Sequence, residues 1–305
     1  MRVAVVDIGS NSTRLLVADA DGSRVRELDR RTSVTRLAEG VDASGRLSDA
    51  AQERVLAAIY GYAEAIDRLG AERRIAVLTS AVRDAANGPA FATAVRDRFG
   101  LDARMLSGDE EARLTYLGAT AGRDRDDPTV RLVVDIGGGS TELVLGARGR
   151  VRFHVSTQAG VVRHSERHLA SDPPRPEELE ALAADVRGVL AEAVPDTTDG
   201  VADAAVAVAG TATSCAAMDL ELDPYDPAQV EGHVLSLERL GALLSRLAAM
   251  PLAERRTVTG LHPDRAPTIV AGIVILATVL RHFGLDATEV SEHDILWGAA
   301  LDAAG

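Results

Sequence analysis

No lysine occurs anywhere in the 305 residues, so all 33 basic side chains are arginine. That absence excludes the lysine of a Walker A loop, a kinase strand lysine, a Schiff base with pyridoxal phosphate and a lysine general base. Any phosphate must be held by arginine, backbone N–H groups or metal. Cysteine is nearly absent as well: Cys215 alone can form neither an intrachain disulfide nor a multi-cysteine zinc site, which points to a reducing cytoplasm. Long apolar runs are missing. The longest, Ile269–Leu280, has 12 residues including Gly272 and Thr278, against the roughly 20 needed to span a membrane, and is expected to be a buried helix. The apolar run before Asp7 is too short for a signal-peptide core. Positive charge is in deficit, with 46 acidic residues giving a net charge of -13. An acidic surface argues against broad binding to nucleic acid or anionic membrane, and leaves room for a small anionic substrate in a locally compensated cleft.

What is present is ordinary globular composition, 46% hydrophobic and 26% charged, in a chain long enough for two domains at roughly 100 to 200 residues each. An internal repeat organises it. VVDIGSNSTRLLV (Val5–Val17) lies over VVDIGGGSTELVL (Val133–Leu145), matching Asp7 to Asp135, Gly9 to Gly137, Ser12 to Ser140 and Thr13 to Thr141. Each copy is a β-branched run, an aspartate, a turn of small residues and a second apolar run, which predicts strand, tight turn, strand. The chain therefore reads as two related halves. Around them, Val55, Ile59, Tyr62, Ile66 and Leu69 mark a helix face, Ile75–Thr79 a strand, and Asp109–Ala121 a helix. In the second half, helices are expected after SDPPRPEE, over Ser236–Ala249, Ala266–Arg281 and Asp294–Ala303, with a strand at Ala204–Ala209. The polar segment Gly122–Thr129 is the candidate boundary. Strands alternating with helices predict an α/β fold, with domains at 1–125 and 126–305.

Three turns of small and hydroxyl residues could cradle an anion: Gly9–Ser10–Asn11–Ser12–Thr13, Gly137–Gly138–Gly139–Ser140–Thr141 and Gly210–Ser214 with Gly210 and Thr211 at its head. A single glycine turn is weak evidence, since most are only tight turns. The duplication strengthens the case for phosphate held between the two domains. Asp7 and Asp135 end equivalent strands, where a carboxylate can hold Mg2+ beside phosphate or accept its own turn's N–H groups. Glu142 directly follows the second loop and is placed to deprotonate water. Asp109, Glu110 and Glu111 open a helix, where the dipole alone favours acids, so the residues by themselves do not select Glu111. Arg83 and Arg265 are candidate phosphate forks. His164 and His168 share a helical spacing compatible with metal, but no third ligand is suggested nearby and packing roles are favoured. Cys215, among alanines, reads as buried filler.

DIGSNSTRLLV, TSAVRDAAN, SGDEEARLTYLG, VVDIGGGSTELVLG, AGTATS and HPDRAPTIVAGIVIL occur in the order of the motifs of the exopolyphosphatase and guanosine pentaphosphate phosphohydrolase (Ppx/GppA) family, which the whole chain resembles. The resemblance implies two ribonuclease-H-like domains with an interdomain cleft, as in the actin, hexokinase and Hsp70 superfamily. It implies catalytic roles for Glu111 in the EEAR motif and for Glu142, Mg2+ at Asp135, phosphate binding by the two loops, and a substrate-facing segment containing Arg83 and Asn87, with Arg265 carried over less directly. The implied reaction is in-line attack by water on a terminal phosphoryl group of inorganic polyphosphate or guanosine pentaphosphate. A homodimer is implied by the family only. Longer relatives continue into an HD-type domain that this sequence lacks, so His293–Asp294 is read as structural and a preference for short chains is expected. A sugar or acetate kinase, and a non-hydrolytic alarmone sensor of the same fold, stand as alternatives.

Overall fold

The first apolar run forms β1 (Arg2–Ile8) in the computed structural model, which describes residues 1–21, 24–124, 126–198 and 200–305. The turn Gly9–Asn11 returns it as antiparallel β2 (Ser12–Ala20), with Asp7 opposite Arg14 and Ile8 opposite Thr13. β3 (Val25–Val34) pairs antiparallel with β2, while β4 (Arg73–Leu78) and β5 (Asp102–Met105) add in parallel on the other side, giving the order β3-β2-β1-β4-β5. Successive strand side chains point to opposite faces. Ala4, Val6, Ile8, Leu15 and Val17 therefore meet Val55, Ile59 and Tyr62 of the helix Asp49–Leu69. Val3, Val5, Leu16 and Ala18 meet Leu114, Ile295, Leu296 and Ala299 on the opposite face. A strand covered on both faces reads as a continuous apolar run, as β1 does. Asp7 and Arg14 keep the phase of the second face, towards the helices Gly108–Ala119 and Ile295–Ala304.

The second sheet repeats this plan. β6 (Arg131–Ile136), β7 (Thr141–Ala147) and β8 (Arg150–Thr157) form an antiparallel meander, β9 (Ala204–Val208) pairs in parallel with β6, β11 (Ala287–Val290) pairs in parallel with β9, and β10 (Val234–Ser236) pairs antiparallel with β11 at the edge, in the order β10-β11-β9-β6-β7-β8. Asp135 stands opposite Glu142 and Ile136 opposite Thr141, the register of Asp7 with Arg14 and Ile8 with Thr13. Two α/β units of ribonuclease-H-like topology result, as expected. The helix Ile269–His282 is buried at every position from Ile269 to Leu280 and packs with Leu182, Val186 and Leu190. Among the described residues no helix is long and apolar enough to cross a membrane.

The chain divides into Met1–Arg123 with His293–Gly305, and Asp124–Glu292. The split falls within the expected polar segment, although Arg125, the expected last residue of the first domain, lies outside the described residues. The C-terminal helix corrects the second boundary, because it joins the first unit rather than a domain running to 305. The reason is a close crossing of two helices at glycine: a Cβ on Gly118 would sit 1.9 Å from the Asp294 carbonyl oxygen, and one on Gly298 1.8 Å from that of Leu114. Ile295, Leu296, Ala299 and Ala303 then complete the second face of the first sheet. Gly210–Ser214 also differs from expectation. It is the start of a helix, Ala209–Asp219, entered from β9 through Ala209 at φ 61°, and is not a turn.

Candidate active site

The two duplicated turns close identically: Gly9 N–H donates to the Ser12 carbonyl at 3.0 Å and Gly137 N–H to that of Ser140 at 2.9 Å. Their carbonyls are tied back into the fold. Ser10 C=O accepts from Ala38 N–H, and Asn11 C=O from Thr35 and Arg36. In the second copy Gly137 C=O accepts from Val161 N–H at 3.0 Å, and Gly138 C=O from Val162 and Arg163. Peptide planarity then aims the next residue's N–H the opposite way. The amides of Gly138 and Gly139 donate to no partner among the described residues, which is the arrangement of a backbone anion nest. Sequence reasoning missed Gly160, on which this depends: a Cβ there would lie 2.3 Å from Gly139 C and 2.4 Å from Gly138 O. An unexplained glycine ahead of the helix Val161–His168 was the available signal.

Hydroxyl roles divide. Thr13 bonds the hydroxyl of Thr35 at 3.0 Å, and Thr141 donates to the Ala159 carbonyl. Both are fully buried, so these hydroxyls brace the loops from inside. Ser10 shares a hydroxyl–hydroxyl hydrogen bond with Ser80 at 3.0 Å. Ser140, together with Ser156 of β8, donates to Glu142 Oε1 at 2.7 and 2.8 Å. Glu142 is 7% exposed, and Asp135, half-buried, stands across the ladder from it.

Glu111 is set by the start of its helix. Ser107 caps it, accepting from Glu110 N–H at 3.3 Å while Glu110 Oε2 accepts from Ser107 N–H at 2.9 Å. The S-x-x-E capping box thus takes Glu110 and turns Glu111, the next residue, inward to 6% exposure. That box, readable in SGDEE, was the signal that separates the two glutamates. Glu111 Oε2 accepts from Arg83 Nη1 at 2.7 Å, and the same nitrogen donates to the Leu106 carbonyl at 3.1 Å. Burial pushes the Glu111 carboxyl up against the downward pull of Arg83, with Asp7 and Asp84 adding to the rise.

Asp7 Oδ2 accepts from both Nε and Nη2 of Arg14, at 2.8 and 2.6 Å, and Arg14 Nη1 bonds Asp294. A guanidinium therefore occupies one of the two carboxylate oxygens of Asp7, the residue expected to hold metal. Asn87 departs from its expected substrate role, because both ends of its amide hold the Leu47 backbone at 2.9 Å. Gly210 and Arg265 do come together: a Cβ on Gly210 would lie 1.4 Å from Arg265 Nη1. Thr211, in contrast, is buried against Gly272, where a Cβ would lie 2.7 Å from its Cγ2. Cys215 is fully buried and its thiol is pushed up to about 12 by desolvation, so it is inert filler as expected.

The sequence matches the Ppx/GppA phosphatase family over residues 15–298. The chain belongs to that family. Exopolyphosphatase 2 of Mycobacterium tuberculosis is 37% identical, covering 100% of this chain and 99% of that protein. Exopolyphosphatase 1 of Mycobacterium bovis is 31% identical over 95% of this chain and 84% of its own. Among solved structures, the Ppx/GppA family member of Aquifex aeolicus superposes with a TM-score of 0.84 at 31% identity, covering 99% of this chain and 97% of that one. An exopolyphosphatase-like protein reaches 0.91 at 35% identity over 100% and 99%. This Ppx/GppA protein is accordingly an enzyme, a hydrolase of the phosphatase kind, and the kinase alternative falls away.

Proposed function

We propose that this protein is a Mg2+-dependent exopolyphosphatase that removes terminal phosphate from inorganic polyphosphate, with a preference for short chains. The observation that carries the reading is the Gly138–Gly139 amide pair, held facing away from the Gly137 and Gly138 carbonyls, which the helix Val161–His168 ties down. Such donors, fixed before substrate arrives, stabilise charge on equatorial phosphoryl oxygens. The names of the full-length relatives support the substrate class. The donor set around the second loop fits a hard cation, because Asp135 and Glu142 are carboxylates and the Ser140 and Ser156 hydroxyls bond Glu142. Asp135, with Glu142 behind it, would hold Mg2+, which would supply positive charge beside the phosphate. Asp7 is reassigned to bracing Arg14.

Glu111 takes the proton of the attacking water. The new bond joins the water oxygen to the terminal phosphorus, the bridging P–O bond breaks, and the products are phosphate and a chain one unit shorter. A carboxyl raised by burial is a better base than an ordinary one. Arg83 holds Glu111 in place, and Arg265 offers a guanidinium fork to phosphate oxygens. These arginines, with the loop amides, supply positive potential against the net charge of -13. A cytoplasmic homodimer completes the reading, and light scattering checks the assembly.

The test is phosphate release with Mg2+ from short polyphosphate, long polyphosphate and guanosine pentaphosphate in parallel. Short polyphosphate should turn over fastest, and excess chelator should abolish release. Turnover of guanosine pentaphosphate alone would reassign the substrate, and undiminished rates in chelator would remove the metal. Gly210→Ala probes the arginine. A methyl group there displaces the flexible end of Arg265, while alanine favours the helix over glycine by about 1 kcal/mol. Thermal stability should hold or rise as kcat/KM falls roughly tenfold or more, the scale of one charge-assisted hydrogen bond. Unchanged kcat/KM would take Arg265 out of the site.

A further inference from the structure

The two histidines for which the sequence suggested no third ligand acquire one from a neighbouring helix. His164 and His168 lie one turn apart on Val161–His168, and Asp185 projects from Pro176–Ala193. One donor atom from each of the three lies within 4.8 Å of the other two. Asp185 Oδ2 is 2.8 Å from His168 Nε2 and 3.6 Å from His164 Nε2, separations close to the edge of about 3.3 Å that a tetrahedron of 2.0–2.1 Å zinc bonds requires.

His164 Nε2 supplies an independent observation. The residue is fully buried, and this nitrogen has no hydrogen-bond partner among the described residues. Buried polar atoms are nearly always satisfied, so an orphan aimed at a second imidazole and a carboxylate calls for an explanation. The opposite ring nitrogen, Nδ1, lies 3.1 Å from the Gly160 carbonyl. A carbonyl can only accept, so Nδ1 carries the proton and Nε2 presents a lone pair towards Asp185. Metal-binding histidines are oriented by this kind of outer hydrogen bond.

We propose that His164, His168 and Asp185 form a site for a divalent transition metal of the zinc class, completed by water, that clamps the helix Val161–His168 to Pro176–Ala193. Two imidazoles and one carboxylate suit Zn2+ or Co2+ far better than Mg2+, which prefers oxygen and keeps several waters. Binding replaces the His168–Asp185 hydrogen bond and moves the half-exposed Arg167, whose Nη1 is 3.0 Å from Asp185 Oδ2. The clamp has a direct line to the phosphate loop. Gly160 orients His164 through its carbonyl and carries the Gly138–Gly139 backbone against its Cα, and the first amides of the same helix hold the Gly137 and Gly138 carbonyls.

Titration of the metal-free full chain with Co2+, in saturating Mg2+, tests the site without reference to catalysis. One equivalent should bind with visible d–d absorption, Zn2+ should displace it, and Zn2+ should raise Tm. His168→Gln and Asp185→Asn should each weaken binding at least about 10- to 100-fold, the loss seen when only an outer-shell partner is removed. His164 is fully buried, so His164→Gln would also disturb packing, and the test rests on the two more exposed ligands. Absence of stoichiometric binding by the wild type, wild-type affinity in both variants, or displacement of Co2+ by Mg2+ would each overturn the proposal.

Discussion

Glu111→Gln lowers kcat for phosphate release by roughly 10²- to 10⁴-fold, the range lost with a general base, while the fold survives because glutamine still accepts from Arg83 at the position where Glu111 Oε2 does. Glu142→Gln also loses turnover, so amplitude alone does not identify the base. The pH profile does. Burial holds the Glu111 carboxyl above its ordinary value, and a base works only when deprotonated. In the wild type kcat/KM should therefore rise with pH through an acidic limb lying above the usual carboxylate range, and then level off. Arg83 is the chief group pulling that carboxyl down, so in Arg83→Met the limb should move to still higher pH, whatever the remaining rate. A limb that stays put in Arg83→Met, with Glu111→Gln retaining near-normal turnover, transfers the base to Glu142.

The duplicated strand, turn and strand was legible because both copies are central strands, buried on both sides, and write themselves as apolar runs ending at aspartate. β3 was not: Val25–Val34 contains no fully buried residue, so no alternation marks it. β8 was missed for a related reason, only Thr157 being buried in Arg150–Thr157. Gly210–Ser214 misled in the other direction. Its small hydroxyl residues look like turn chemistry, yet they let a helix approach closely enough for Thr211 to touch Gly272 and for Arg265 to cover Gly210. Among the candidate site residues, the place of Glu142 beside the second loop followed from the sequence. Glu111 needed the capping assignment of Glu110, and Asn87 proved to be committed to Leu47. Asp185 was invisible because contact between helices has no signature in sequence spacing. The repeat itself carried one unread signal: Arg14 stands where the second copy has Glu142, so the copies are asymmetric at the residue opposite each aspartate. One unit uses that position for a structural cation, and the other for an acid beside the nest.

That asymmetry predicts the largest stability effect. Asp7 is 3% exposed and Asp294 not at all, and Arg14 bonds both. Removing one partner of a buried ion pair leaves an uncompensated charge and costs about 3–5 kcal/mol, so Arg14→Met should destabilise the first unit by that amount at neutral pH. Trp297, the single tryptophan, lies in the C-terminal helix that Asp294 caps through the Leu296 N–H at 2.9 Å. Its fluorescence during urea unfolding reports this unit directly. The pH dependence contributed by Asp294 has a definite sign. Burial pushes the Asp294 carboxyl up, but Arg14, Arg30 and the Leu296 N–H outweigh it and leave it below its ordinary value. A depressed carboxylate contributes stability that is fully present above its unfolded pKa and is lost as pH falls through the folded one. Arg14→Met removes the chief downward pull, so the variant's deficit should be largest at neutral pH and shrink as acid neutralises the two stranded carboxylates. Adding Asp294→Asn to Arg14→Met should recover part of the loss, because asparagine removes the stranded charge and still caps the helix. A loss below about 1 kcal/mol, or a deficit that grows on acidification, would mean that the Asp7–Arg14–Asp294 cluster does not hold the last helix on the first sheet.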